Sequence, residues 1–484
     1  MKILVVASEV TPFAKTGGLA DVAAALPKEL RRMGHDVRVI MPFYGCVAAS
    51  GQTIRKARKS VEVEVGGALY KGFLRQASLG EVPLYLVEQR ELFGRDHLYG
   101  TAEGDDPDNP RRFAFFCRSV LQFLKRMDFR PDVIHCHDWQ TALIPIILRH
   151  ELGDDPFFAP AATVFTIHNL AYQGIHPRPA LAEMGLSPAL FTMEGVEYFG
   201  RVNLMKGAIL SATVITTVSP TYCREIRTPE QGCGLEGVLA ERSGDLHGIL
   251  NGLDTDEWNP ATDRRIVRTY SSRALAGKGG DKHELQRELG LPLAATVPLI
   301  GMVGRIVEQK GIELVAALLP RFAAEELQLV ILGTGDARYM ELLDRFRRRG
   351  VANISINLGF RDPLAPRIYA GSDMFLMPSR FEPCGLSQLI ALRYGAVPIV
   401  RRTGGLADTV VDATADPREG NGFSFAEYSP DACWEAVQRA LTACRDREGW
   451  RKIVRRAMLK DVSWRNAAGE YEELYRAAIE KRRG

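Results

Sequence analysis

Along this chain, short unbroken apolar runs alternate with stretches whose apolar residues recur every three to four positions. Residues 2–7 carry Ile3, Leu4, Val5 and Val6 in a row, the pattern of a strand buried on both faces. Residues 19–33 place Leu19, Val22, Ala23, Leu26 and Leu30 at helical spacing, and 36–41 is apolar again. This strand–helix–strand unit is expected to cross over right-handed. Further strands are predicted at 133–136, 163–167, 214–218 and 247–250. Val61-Glu62-Val63-Glu64-Val65 alternates with period two and opens a β-rich insert that reaches Glu88.

From Asn251 to Pro298, polar residues and turn signals dominate, with Gly277, Gly279 and Gly280 close together, and the stretch reads as a connection. The alternation then restarts. Strands are predicted at 299–303, 328–332, 354–358, 374–377 and 397–400, and helices at 312–322, 337–349, 363–370 and 385–394. The predicted fold is α/β, with two Rossmann-like domains at residues 1–250 and 251–460. A last helix at 464–481 has no place in the second sheet, so residues 461–484 are expected to pack back on the first domain.

Composition narrows the function classes. A chain of 484 residues with 46% hydrophobic and 25% charged residues can bury its own core without staples. Lys plus Arg is 62 against 59 for Asp plus Glu, and a net charge of +3 does not advertise nucleic acid or an anionic membrane. Any anion site must be local. Eight cysteines include no CxxC pair, so no zinc or thioredoxin-type motif is signalled. With no signal-peptide pattern and no apolar run of ~18 residues, no membrane span is expected and the expected compartment is the cytoplasm.

In open α/β sheets, ligands bind beyond the carboxyl ends of the strands. Lys15-Thr16-Gly17-Gly18-Leu19-Ala20-Asp21 lies there, where paired glycines before a helix let N–H groups approach an anion. His135-Cys136-His137-Asp138 ends another strand; Asp138 suits a helix N-cap, and His-x-His is a weak metal signal. His168-Asn169-Leu170-Ala171-Tyr172 ends a third strand, and Asn251-Gly252 ends the last of the first domain. In the second half, Gly304-Arg305 and Lys310-Gly311 flank a helix start. Two cations there oppose the helix dipole unless an anion lies between them. Gly333-Thr334-Gly335 is a close-approach turn, with Arg338 where a dinucleotide fingerprint needs glycine. Glu382-Pro383-Cys384-Gly385-Leu386 sets a lone carboxylate at a helix mouth, and Thr403-Gly404-Gly405-Leu406 follows one strand later. Cys384, at a helix N-terminus near cations, is expected to face the cleft and ionise readily.

Taken in order, these motifs resemble bacterial glycogen synthases, which share their pattern with plant starch synthases, over nearly the whole chain. The resemblance implies two domains facing a cleft (GT-B architecture), no metal and no cofactor. It implies transfer of glucose from ADP-glucose to the non-reducing-end 4-hydroxyl of glycogen or another α-1,4-glucan, with retention and release of ADP. It assigns Glu382, Arg305, Lys310, His168 and Asp138 to catalysis. Lys15, Gly17, Gly18, Asp21, Asn251, Gly335, Tyr369, Cys384, Gly385, Leu386, Thr403 and Gly404 are then expected to bind substrate, with Lys15 meeting the donor on closure and Tyr369 stacking on the base. The choice of ADP over UDP rests on this resemblance alone. Many related transferases carry a second Glu eight residues after the first; Ile390 stands there, leaving the ribose contact unassigned.

Overall fold

The computed structural model describes residues 1–101, 104–359 and 364–484. The chain forms two compact units, Met1–Gly252 with Trp464–Gly484, and Leu253–Ser463.

The first unit holds a sheet of nine strands among the described residues. Their order is Leu246–Gly248, Val214–Thr217, Ala162–Ile167, Val133–His137, Lys2–Val6, Asp36–Pro42, Val82–Glu88, Ala68–Leu79 and Arg55–Val65. The first seven pair in parallel, and the insert adds the last two antiparallel. The edge strand carries Arg55, Lys56, Arg58 and Lys59, charges that discourage pairing with another chain. A helix at Asn109–Arg126, not foreseen from the sequence, buries Phe113, Phe115, Phe116 and Phe123 against the sheet.

The C-terminal helix, Trp464–Arg483, packs into this first unit. It buries Trp464, Ala468, Tyr471, Tyr475 and Ala478. Its Tyr475 hydroxyl lies 2.8 Å from His135 Nδ1.

The second unit has a six-stranded parallel sheet ordered Ile354–Leu358, Gln328–Gly333, Leu299–Val303, Met374–Met377, Val397–Arg401 and Phe423–Phe425. The glycine-rich connection predicted at 251–298 contains a helix, Ala276–Glu288. Tertiary bonds override its weak helix propensity there. Lys278 Nζ donates to the carbonyl oxygens of Ala370 at 2.9 Å and Tyr394 at 3.0 Å, and Lys282 Nζ meets Asp373 at 2.7 Å. Burial lowers Lys278 to about 8. A Cβ at Gly277 would sit 2.6 Å from the Thr269 carbonyl oxygen, so the glycine permits a close approach. Pro363, the predicted start of a helix, lies outside the described residues; that helix is described from Leu364 to Gly371.

Candidate active site

In the first unit, the carboxyl ends of Lys2–Val6, Val133–His137 and Ala162–Ile167 bring three motifs side by side. Asp138 has φ +56°, rare for a residue with a Cβ. Its side chain does not cap the following turn, as the sequence suggested. It turns instead to the neighbouring strand end, where its carboxylate accepts from the backbone N–H of His168 at 2.8 Å and also bonds the Asn169 N–H. Desolvation outweighs those bonds and raises its carboxyl to about 8.

The histidines form a short row of rings tilted by 33° and 35° to one another. His137 Nδ1 lies 2.9 Å from His168 Nε2, and the His137 ring lies 4.1 Å from that of His135. Both ring nitrogens of His135 are engaged, Nδ1 by Tyr475 and Nε2 by Thr166 Oγ1 at 2.5 Å. Burial lowers His135 and His168 to about 3 and His137 well below the usual range, so all three are neutral at physiological pH. The His-x-His pair is thus committed to hydrogen bonds within the fold. Among the described residues no group of three His, Cys, Asp or Glu side chains is arranged to hold a metal ion.

The Lys15 loop holds a residue the sequence reading missed. Glu9 is almost fully buried, and its carboxylate accepts from Thr16 N–H at 2.5 Å and Thr16 Oγ1 at 2.8 Å. It also bonds the Gly17 N–H. Donors expected to await a substrate anion at this helix start are therefore already engaged by the protein's own carboxylate. Desolvation raises Glu9 to about 7. A lone Glu three residues past a buried strand is the sequence signal for it. Lys15 is exposed and pairs with Asp21 at 2.7 Å. Asn251 is buried, and its Oδ1 has no hydrogen-bond partner among the described residues.

In the second unit, Lys310 Nζ lies 2.6 Å from Glu382 Oε2, which also accepts from Ser379 Oγ at 3.0 Å. The Glu382 side chain is only 6% exposed, so its charge is held by these partners. Arg305 is exposed and reaches Gln309 Oε1 at 3.3 Å, and the Gln309 carbonyl accepts from Arg380 N–H at 2.9 Å. One network thus joins the Arg305–Lys310 turn to the Glu382 loop. Gly335 lies where this turn meets the next strand end: Ile306 N–H donates to Thr334, and a Cβ at Gly335 would fall 2.2 Å from the Ile306 carbonyl oxygen.

Two expectations are corrected in this unit. Tyr369 is buried, with its ring stacked on Phe375 at 4.8 Å and edge-on to Trp258, so packing leaves no open face for a base. Cys384, expected at a helix N-terminus and facing the cleft, is buried, and the helix begins three residues later, at Ser387. Gly385 takes φ +76° and Leu386 is the helix N-cap. Gly404 takes φ +45°, and Thr403 is buried. Ile390 packs into the core.

The comparisons with known proteins agree across the whole length. The family described as "Starch synthase catalytic domain" matches residues 2–241, and "Glycosyl transferases group 1" matches 286–457. A Geobacter metallireducens protein named glycogen synthase 2 is 75% identical over all 484 residues of both chains. The chain belongs to the glycogen synthase family. A glycogen synthase 2 from Geobacter sulfurreducens is 73% identical, also over the full length of both. Among solved structures, the catalytic domain of starch synthase IV from Arabidopsis thaliana, bound to ADP and acarbose, superposes with a TM-score of 0.91. It is 36% identical and covers 99% of each chain. As a family member the chain is a retaining glycosyltransferase of GT-B architecture. No described helix is long and apolar enough to cross a membrane.

Proposed function

We propose that this protein elongates an α-1,4-glucan, transferring glucose from ADP-glucose to the non-reducing-end 4-hydroxyl with retention and releasing ADP, in the cytoplasm. The observation that carries the reading is the Lys310–Glu382 pair at 2.6 Å, networked with Arg305 in the strand-end loops of the second unit. Breaking a glycosyl phosphate builds charge on the leaving diphosphate, and fixed cations that await this charge lower the barrier. Arg305 offers a planar fork and Lys310 a point charge. Glu382, freed from part of its pairing when Lys310 meets phosphate, holds a donor-sugar hydroxyl and opposes the positive charge of an oxocarbenium-like transition state.

His168 and Asp138 line the sugar and acceptor side, and Lys15 adds a cation toward the donor. The unpartnered Asn251 Oδ1 fits a group that gains its hydrogen bond from the nucleotide, because a buried acceptor left unpaired costs about 1–3 kcal/mol. The binding of ADP and acarbose by the starch synthase relative supports this choice of donor and glucan. The test is nucleoside diphosphate release from ADP-glucose and from UDP-glucose, each with and without glycogen. Release from ADP-glucose that requires glycogen and persists in chelator is expected. Equal rates from both donors would overturn the donor assignment.

A further inference from the structure

His137 is completely buried on the strand Val133–His137, and the proposed function gives it no role. Its Nδ1 shares one proton with His168 Nε2 across 2.9 Å, so one nitrogen donates and the other accepts. Two neutral arrangements exist. If His168 Nε2–H donates, His137 must carry its own proton on Nε2. That atom is buried with no partner among the described residues, and an orphaned buried N–H is rarely tolerated. If His137 Nδ1–H donates, the orphan is only a lone pair, and His168 must carry its proton on Nδ1. His168 Nδ1 has no protein partner among the described residues, and His168 as a residue is half-buried rather than sealed in the core.

The surroundings keep His137 in place. The His135 ring lies 4.1 Å from it and is itself pinned at both nitrogens by Tyr475 and Thr166. Thr166 Oγ1 is in turn 2.5 Å from Thr216 Oγ1. The Asp138 carboxylate holds the His168 backbone N–H, leaving the His168 ring orientation to His137.

We infer that His137 is a positioning residue: it fixes His168 as the Nδ1–H tautomer, so that His168 presents a hydrogen-bond donor, not an acceptor, to a sugar hydroxyl. This rests on the proposed placement of His168 beside the sugar. An acceptor at that ring edge would favour a different hydroxyl orientation and shift the sugar, and small misplacements cost about 10²-fold in rate.

The test compares His137→Asn with His137→Gln. An asparagine amide reaches the place of Nδ1 and can still donate to His168; a glutamine amide reaches the place of Nε2 and cannot. Nitrogen-15 NMR of histidine-labelled protein, with His168 assigned through His168→Ala, reads the tautomer directly. The expected result is Nδ1–H in wild type and His137→Asn, and loss of that form in His137→Gln. In parallel, kcat should fall about 10²-fold in His137→Gln with the acceptor KM unchanged, and recover largely in His137→Asn. An Nε2–H His168 in wild type overturns the proposal, as does a kcat loss equal in both variants and tracking their melting temperatures. If wild type transfers glucose and His168→Ala does so at the same rate, the proposal fails and the transferase reading stands. If wild type transfers no glucose from ADP-glucose, both fail.

Discussion

The sequence Thr-Gly-Gly-Leu-Ala-Asp occurs twice, at 16–21 and at 403–408, each time at the start of a helix. The first helix begins at Gly18 with Gly17 as N-cap; the second begins one position earlier in the motif, at Gly404, with Thr403 as N-cap. In the first copy a side chain satisfies the turn, because Glu9 accepts the N–H groups of Thr16 and Gly17. In the second copy backbone satisfies it, because Gly405 N–H donates to the carbonyl oxygens of Glu382 at 3.1 Å and Pro383 at 3.2 Å. The same six residues thus brace an internal carboxylate in one place and seat the loop that carries Glu382 in the other. A glycine pair before a helix signals close approach of something; what approaches is set by the fold.

Substitution at the glycines should separate the two copies most strongly. A Cβ at Gly405 would lie 2.1 Å from the Cys384 carbonyl oxygen, so Gly405→Ala must push the Glu382 loop away. Overpacking of this kind costs about 1–3 kcal/mol, and the displaced carboxylate should cost about 10²-fold or more in kcat. A Cβ at Gly17 would meet only Glu9 Oε1 at 3.8 Å, so Gly17→Ala should keep most of its activity and stability. Melting curves and steady-state rates of the two variants make the comparison, and similar losses in both would erase the distinction.

The cation beside the first copy, Lys15, and the cation paired with the Glu382 that the second copy seats, Lys310, should differ next. Lys310→Ala leaves the buried Glu382 without its 2.6 Å partner, and kcat should drop about 10²–10³-fold. Lys15→Ala removes an exposed charge, so its effect should appear as a higher KM for ADP-glucose. Its stability should change by no more than about 1 kcal/mol, the range of an exposed ion pair. Unchanged donor kinetics in Lys15→Ala would make Lys15 a solvated loop charge.

The smallest effect concerns Glu9, the buried carboxylate that accepts the first copy's N–H groups. Glu9 is raised from 4.5 to about 7, so between those values the folded chain binds more protons than the unfolded chain. Its stabilising contribution is complete below about 4.5 and is lost as the pH rises through about 7. Asp138, raised from 3.8 to about 8, acts in the same direction. Glu9→Gln removes the first of these, so its melting temperature relative to wild type should climb between pH 5 and pH 8. A difference that is flat across that range would mean that Glu9 stays ionised in the fold.

The parallel strands were legible because both faces of each are buried, giving unbroken apolar runs such as Ile300 and Leu329–Ile331 in the core. The helix Ala276–Glu288 was not legible, because carbonyl partners distant in sequence hold Lys278 and Lys282. At the site, Arg305, Lys310 and Glu382 stood out as charges where loops do not need them. Tyr369 packs on Phe375 instead of facing a base, and in sequence an aromatic facing a pocket and one packed in the core look alike. His137 reads in the sequence only as half of a weak metal pair, because its partner His168 lies on the neighbouring strand end and only the folded sheet brings the two together. Glu9 bonds Thr16 just seven residues on, but a polar residue in a loop gives no sign that it turns inward.

Glucosyl transfer is expected to depend on Glu382 as a charged group held by Lys310 and Ser379. The most direct test of this dependence is the initial rate of glucose incorporation from ADP-glucose into glycogen by Glu382→Gln, alongside melting curves and wild-type protein. Glutamine keeps the size of the side chain and removes the charge. A rate lower by about 10²–10³-fold in a variant that melts close to wild type is expected. A well-folded Glu382→Gln that incorporates glucose at nearly the wild-type rate would mean that the Glu382 charge has no part in transfer.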